Sequence, residues 1–215
     1  MANVNAPKGF SPVGMLSGAS WNEQGRLYAI PTTDTTNSYA IGDVVMSAAS
    51  ADADGVPFVQ KWGGATTTSA LPLGIIVGVR VANPGTSLQG TSIDLSTTYI
   101  LAGTRTAVVY VYVVDDPNVV FEAQFDSTAI AVTNLHQNAA VTLTASVAHT
   151  QSTPMSTMVL TGPATTATLP IRLMGAIQAP NNAVGAYVRV LCKWNYHEFG
   201  TTAGASGTVV GYLAP

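Results

Sequence analysis

Charge is the scarcest property of this sequence. Only 9% of its 215 residues are Asp, Glu, Lys or Arg, against roughly 25% in an average soluble domain. Eight basic and eleven acidic residues give a formal net charge of -3, and they form no run of like charges. Because binding to nucleic acid requires clustered Lys and Arg, the sequence predicts no nucleic-acid partner. A neutral surface favours coverage by partner proteins, and the alternative is that Thr and Ser alone keep it solvated.

Cysteine and long apolar runs are also scarce. Cys192 is the single cysteine, which excludes intrachain disulfides and thiol-based metal clusters. The longest apolar run, residues 107–114, is far shorter than the roughly 20 residues of a membrane-spanning helix. Residues 1–10 have neither the basic start nor the apolar core of a secretory signal. The sequence therefore predicts no membrane partner and assembly in a reducing, intracellular compartment.

Catalytic motifs are missing. His136, His149 and His197 are scattered and have no partner at metal-ligand spacing. The sequence contains no nucleophile elbow and no phosphate-binding glycine loop with a lysine. The pair of His197 and Glu198 comes nearest to a site, but adjacent strand residues point to opposite faces, so a structural role is predicted for His197. Cys192 is predicted on an apolar strand face, where a thiol behaves as a small hydrophobe. We expect no enzyme, no catalytic residue and no cofactor.

Asp52 and Asp54, which precede Gly55, resemble a fragment of a calcium-binding loop. The residues that follow supply no further carboxylate, whereas calcium takes about six to eight oxygen ligands. Asp and Asn before Gly also form tight turns by hydrogen bonding to their own backbone. The predicted role of these two residues is turn formation, and no metal site is predicted.

Short alternating runs of β-branched residues dominate the rest of the chain. Residues 107–114 carry apolar side chains on both faces, which predicts a central strand covered on both sides. Residues 186–194 alternate apolar and polar side chains, as in a half-buried strand. Further strands are predicted at residues 27–30, 44–46, 58–60, 73–81, 119–125, 141–147, 158–160 and 171–178. The sequence therefore predicts a mainly β fold, a β-sandwich or jelly-roll-like domain.

The turn after residue 114 begins with two carboxylates, Asp115 and Asp116, followed by Pro117. Caps of a turn in solvent are the favoured interpretation. The alternative is an ion pair across an interface with Arg105 or Arg172.

Both ends of the chain lack strand patterns. Residues 1–20 are rich in Gly and Pro, and residues 199–215 consist mainly of Gly, Ala, Ser and Thr with a final apolar group. The predicted organisation is an extended arm over residues 1–20, one β domain over 21–198, and a second arm over 199–215. Such arms either bind neighbouring subunits or fold back on their own subunit.

Aromatic and aliphatic side chains on these arms and on nearby loops are candidate interface residues, because aromatic residues dominate interface energies. The candidates are Phe10, Trp21, Trp62, Val209, Val210, Tyr212 and Leu213. For Trp21, Trp62 and Tyr212 a place in the core is the favoured alternative.

Several short motifs occur in a fixed order along the chain. They lie at residues 5–10 (Asn-Ala-Pro-Lys-Gly-Phe), 42–45, 55–57, 74–78, 113–124, 165–169, 172–175, 180–182 and 195–198 (Asn-Tyr-His-Glu). In this order the sequence resembles a family of structural proteins of tailed bacteriophages, described as head or decoration proteins, up to about residue 198. The resemblance implies a cement protein, made in the host cytoplasm, that clamps subunits of the major capsid protein on the exterior of the virion. Copies of the chain itself, as a dimer or trimer, are a further predicted partner.

Three functional hypotheses follow. The leading one is the capsid cement or decoration protein, and the second is a tail, connector or fibre component of the same virion. The third is a carbohydrate-binding β module, which requires Trp21, Trp62 or Trp194 to be exposed in a groove with polar neighbours.

Overall fold

The computed structural model describes residues 3–64, 71–80, 97–142 and 154–200. Within these ranges the chain forms thirteen β-strands and one 3-10 helix, with no α-helix. The mainly β prediction is confirmed, and the packing of several sheets is consistent with a β-sandwich. The strands are β1 (Ser11–Met15), β2 (Arg26–Ile30), β3 (Tyr39–Ala40), β4 (Val44–Ala51), β5 (Pro57–Lys61), β6 (Gly74–Arg80), β7 (Tyr99–Ile100), β8 (Val109–Val114), β9 (Val119–Gln124), β10 (Asn138–Thr142), β11 (Val159–Ala164), β12 (Ile171–Ala176) and β13 (Arg189–Trp194), and the 3-10 helix spans Val132–Asn134.

Five of these strands close into a barrel in the order β2-β5-β4-β6-β8. The barrel closes because β2 pairs antiparallel with β8 on one side and parallel with β5 on the other. Val111 and Val113 of β8 are fully buried in one core cluster, together with side chains of β4 and β6. Val114 is buried in a different cluster, which also contains side chains of the six-stranded sheet. The central strand predicted at residues 107–114 is therefore covered on both faces.

Six strands form the second layer, in the order β1-β9-β13-β12-β10-β11. A bridge between Phe125 and Leu160 brings β11 back to the end of β9, so the sheet curls strongly. The predicted strand at residues 141–147 lies mostly outside the described residues, and its described part belongs to β10.

One apolar core joins the two layers. Phe121, Leu173 and Trp194 of the sheet belong to the same buried cluster as Trp62 and Val44 from the barrel side. Burying large apolar side chains contributes about 1.5–3 kcal/mol each. Packing in this shared cluster therefore stabilises the contact between the barrel and the sheet.

The N-terminal segment is extended and lies on its own subunit. Phe10 is only 1% exposed and stacks on Trp194, with ring centroids 6.1 Å apart. β1 pairs with β9, and the Phe10 N–H donates to the Gly42 carbonyl over 3.0 Å. Of the predicted C-terminal arm, residues 201–215 lie outside the described residues.

Candidate functional site

The structure divides the predicted interface residues into three groups. Phe10 and Trp62 are each 1% exposed, so the prediction that they lie at an interface on the surface is wrong. Both side chains fill the core between barrel and sheet. Trp21 is partly exposed and packs against that core from outside. Val209, Val210, Tyr212 and Leu213 lie outside the described residues.

Sequence reasoning missed two exposed apolar residues in the N-terminal segment. Val13 and Leu16 are 46% and 48% exposed. Val13 lies at a register shift of β1, between Pro12 and Gly14, where the ladder to β9 is interrupted. Proline and a bulge both oppose addition of another strand at a sheet edge. A Val between Pro and Gly, where a strand ladder is readily interrupted, is the sequence signal that would have identified this position.

Trp21 separates two adjoining pockets of about 750 and 430 Å³, which together form a groove. Trp21, Gln24 and Gly25 line both pockets. At Gly25 a Cβ atom would lie 3.2 Å from the Val113 carbonyl oxygen, so glycine permits the close approach of this loop to the barrel. The other lining residues of the groove are Met15, Ser17, Ala19, Ser20, Asn22, Glu23, Arg26, Val77, Tyr112, Val114, Asp115, Asp116 and Val119.

A buried carboxylate lies at the side of the groove. Asp115 is 8% exposed, accepts a hydrogen bond of 2.7 Å from the Tyr28 hydroxyl, and forms an ion pair of 3.3 Å with Arg26. Burial, together with the hydrogen bond to Asp115, raises the pKa of Tyr28. Tyr28 therefore stays neutral and remains a donor to Asp115.

The favoured prediction for Asp115 is corrected. It does not cap a turn in solvent, because the register of β2 and β8 brings Arg26 beside it. An ion pair across an interface with another subunit stays a prediction. Arg105 donates to the Asn37 carbonyl, over 2.9 Å. For Asp116 the turn-capping role is confirmed, since its Oδ1 accepts from the backbone N–H two residues later, over 2.8 Å.

The same pairing of Tyr and Asp recurs at two other places in the chain. The Tyr110 hydroxyl donates to Asp52 over 2.7 Å, and the Tyr39 hydroxyl donates to Asp34. Burial raises the pKa of Asp52, but hydrogen bonds from Tyr110 and from backbone N–H groups outweigh it and leave the pKa below its ordinary value. The Tyr110 pair holds a loop against the barrel strand β8, and the Tyr39 pair holds a loop against β3, which pairs with β7 outside the barrel. The turn-forming role predicted for Asp52 is confirmed, because it also accepts from the N–H groups of Asp54 and Val56.

His197 is buried against the aromatic side chains of the core, at the base of a pocket of about 270 Å³. It is 2% exposed, contacts the rings of Trp194 and Phe199, and its Nδ1 accepts from the Phe199 N–H over 3.0 Å. Burial lowers the pKa of His197 to about 4. Cys192 is fully buried, and burial raises the pKa of its thiol. Among the described residues, no three His, Cys, Asp or Glu side chains lie close enough to hold a metal ion.

Replacing His197 with Asn is expected to make the chain less sensitive to acid. The pKa is about 4 in the folded chain against an ordinary value of 6.5. Between these pH values the unfolded chain binds a proton that the folded chain does not, so stability falls as the pH is lowered through this window. The loss amounts to roughly 3 kcal/mol in the native chain, and His197→Asn removes it while keeping an acceptor near Nδ1.

Urea denaturation at pH steps from 7 to about 4 measures this difference. All carboxylates are common to both chains, so their titration cancels in the comparison. His136→Asn, at an exposed position, is the control and should leave the profile unchanged. Parallel profiles for the native chain and His197→Asn would contradict the assignment of a buried neutral imidazole.

Comparisons with known proteins add no relative: no family model matches the sequence, and neither the curated proteins nor the solved structures gave a match. In the described ranges, no helix has the length and apolar character needed to cross a membrane.

Proposed function

We propose that this chain is a non-enzymatic structural protein of a bacteriophage particle, which binds across subunits of the major capsid protein on the outside of the head and stabilises it. The resemblance in the sequence supports the virion as its place. Low surface charge supports assembly, because few ions need to be desolvated when a weakly charged surface is covered. Many weak contacts suffice in a symmetric shell, since symmetry multiplies them.

The observation that carries the proposal is the large share of the exposed apolar side chains that lies on the N-terminal segment. Seven large apolar side chains of the described residues are exposed, and three of them, Val4, Val13 and Leu16, lie within residues 3–20. Single exposed apolar residues are ordinary, whereas several of them along one extended segment favour a contact along its length. The segment is held firmly by β1 and Phe10, so it presents these side chains without a large ordering cost.

Binding to heads tests the proposal, with variants that alter the surface and leave the core intact. Deleting residues 1–20 is unsuitable, because it would remove Phe10 from the core and β1 from the sheet. The double variant Val13→Asp and Leu16→Asp instead places charge on the exposed side chains. Each buried Leu or Val contributes about 1.5–3 kcal/mol to an interface, so we expect at least a tenfold loss of affinity for purified heads in co-sedimentation.

Val132→Asp is the matched control, since Val132 is 68% exposed and lies outside the N-terminal segment. It should bind heads like the native chain, and all variants should keep the native melting temperature. Unchanged binding of the double variant would contradict the assignment of the contact surface. Binding to purified tails and not to heads would favour the alternative, a tail, connector or fibre component.

A further inference from the structure

We propose that the groove on both sides of Trp21 is a binding site for a neutral oligosaccharide. This site goes beyond the structural role proposed above and is independent of it. The proposal rests on the shape of the groove, its aromatic residue and its polar lining.

Trp21 supplies the apolar platform. Trp62 and Trp194 are 1% and 2% exposed, so Trp21 is the one tryptophan with accessible ring surface, and it borders both pockets of the groove. The C–H face of a sugar ring is apolar, and burying it on an indole ring is favourable because both surfaces leave water. Trp21 therefore offers the stacking surface that a sugar ring requires.

Polar side chains surround this platform with both donors and acceptors. The side-chain amides of Asn22 and Gln24 are hydrogen-bonded to each other over 3.1 Å, which orients two planar groups at the rim. The Arg26 side chain is 72% exposed, and its ion pair with Asp115 holds the guanidinium at the groove. A sugar hydroxyl both donates and accepts, so it needs amide, guanidinium and carboxylate groups together.

The charges of the groove select against acidic sugars. Asp115, Asp116 and Glu23 line it, against the single cation Arg26. A carboxylate or sulfate on the ligand would be repelled by two more anions than cations. Small-molecule sites have volumes of roughly 300–1,000 Å³, and two adjoining pockets of about 750 and 430 Å³ give room on both sides of Trp21. A neutral chain of several sugar units fits this arrangement better than a single sugar.

Intrinsic tryptophan fluorescence tests the proposal directly, because ligand contact with Trp21 changes its emission while the buried Trp62 and Trp194 remain shielded. The full chain is titrated with maltohexaose, cellohexaose, mannohexaose and fully N-acetylated chitohexaose, and with hexagalacturonate as an acidic probe. We expect a saturable shift with at least one neutral hexaose and at least tenfold weaker binding of hexagalacturonate. No response to any neutral hexaose at millimolar concentration would overturn the proposal.

Variants locate the binding by calorimetry. Trp21→Ala should weaken binding of the responding hexaose at least tenfold, and Trp21→Phe should retain part of it. The double variant Asn22→Ala and Gln24→Ala, at two exposed positions, should weaken binding without touching the core. Phe199→Ala, an exposed aromatic that lines a different pocket, is the control and should bind normally. Undiminished binding by Trp21→Ala, or by the double variant, would place the sugar elsewhere and overturn the proposal.

Loss of this site and failure of the structural role are distinguishable. The variant Val13→Asp with Leu16→Asp alters no lining residue of the groove, so it should bind the hexaose normally while losing heads. If this variant binds both heads and the hexaose normally, only the assignment of the head-binding surface is contradicted. If it loses binding of the hexaose, the assignment of the sugar site to the groove is contradicted.

Discussion

Gly9→Ala is expected to destabilise the chain by roughly 3–5 kcal/mol, although it adds only one methyl group. Gly9 has φ +70°, and a Cβ atom there would lie 2.3 Å from the Gly42 carbonyl oxygen and 2.5 Å from Cβ of Ser156. Gly42 shows the same crowding, since its Cβ would lie 2.3 Å from the Lys8 carbonyl oxygen. Three segments cross at this point, and hydrogen bonds from Phe10 N–H to the Gly42 carbonyl and from Ser156 N–H to the Ile41 carbonyl hold them together.

Gly18→Ala is the matched control for that substitution. Gly18 has φ +86°, but no atom lies within 4 Å of the position its Cβ would take. The control therefore carries the backbone cost of a positive φ, about 1 kcal/mol, without the clash. Urea denaturation of both variants separates the two effects. Equal losses of stability would contradict the close crossing of the N-terminal segment with the barrel turn.

Trp194→Ala is expected to cost about 3–5 kcal/mol, which is the range for truncating a large buried aromatic. Its ring stacks on Phe10 and meets Phe121 edge to face, with centroids 5.7 Å apart in the second pair. The truncation removes the contacts that β13 makes through this ring with the N-terminal segment and with β9. It also leaves a cavity between barrel and sheet. Thermal and urea denaturation measure the loss.

Trp194→Phe, which keeps an aromatic ring in the same place, should lose less than half as much. A loss similar to that of an exposed substitution, about 0.5 kcal/mol or less, would show that Trp194 does not join the layers. Near-UV circular dichroism distinguishes local loosening from global unfolding, because the retained Trp62 reports on the barrel side of the core.

Local patterns in the sequence predict the strands because alternation is a property of neighbouring residues. In β13 the predicted apolar face is Val188, Val190, Cys192 and Trp194, and all four side chains are buried. Apolar residues on both faces of β8 likewise predict that this strand lies between two others, as it does between β6 and β2. These features depend on the period of two along a strand and need no long-range information.

Such local patterns do not predict the closure of the barrel or the position of the N-terminal segment. The barrel closes through a parallel pair, β2 with β5, at a single register point between Ala29 and Phe58. Gly- and Pro-rich composition looks alike in a free arm and in a segment that crosses a barrel turn closely. Only the contacts of Gly9 with Gly42 and Ser156 decide between these two, and they join residues far apart in the chain.

The sequence predicts the aromatic residue of the groove but not the charged residues beside it. Trp21 was a candidate because aromatic residues in loops often bind partners, and the requirement of polar neighbours followed from the chemistry of sugars. The residues that provide them, Arg26 and Asp115, come from different strands of the barrel and meet only through the register of β2 with β8. Val13 was missed because its exposure depends on a register shift in β1.

Electron cryomicroscopy of phage particles that contain this chain tests its proposed role most directly. The proposal predicts density for the barrel and curled sheet at symmetric positions on the outer head surface, with residues 3–20 against the capsid subunits. Density for this fold only on the tail, or none on the particle, would contradict the role as a head cement protein.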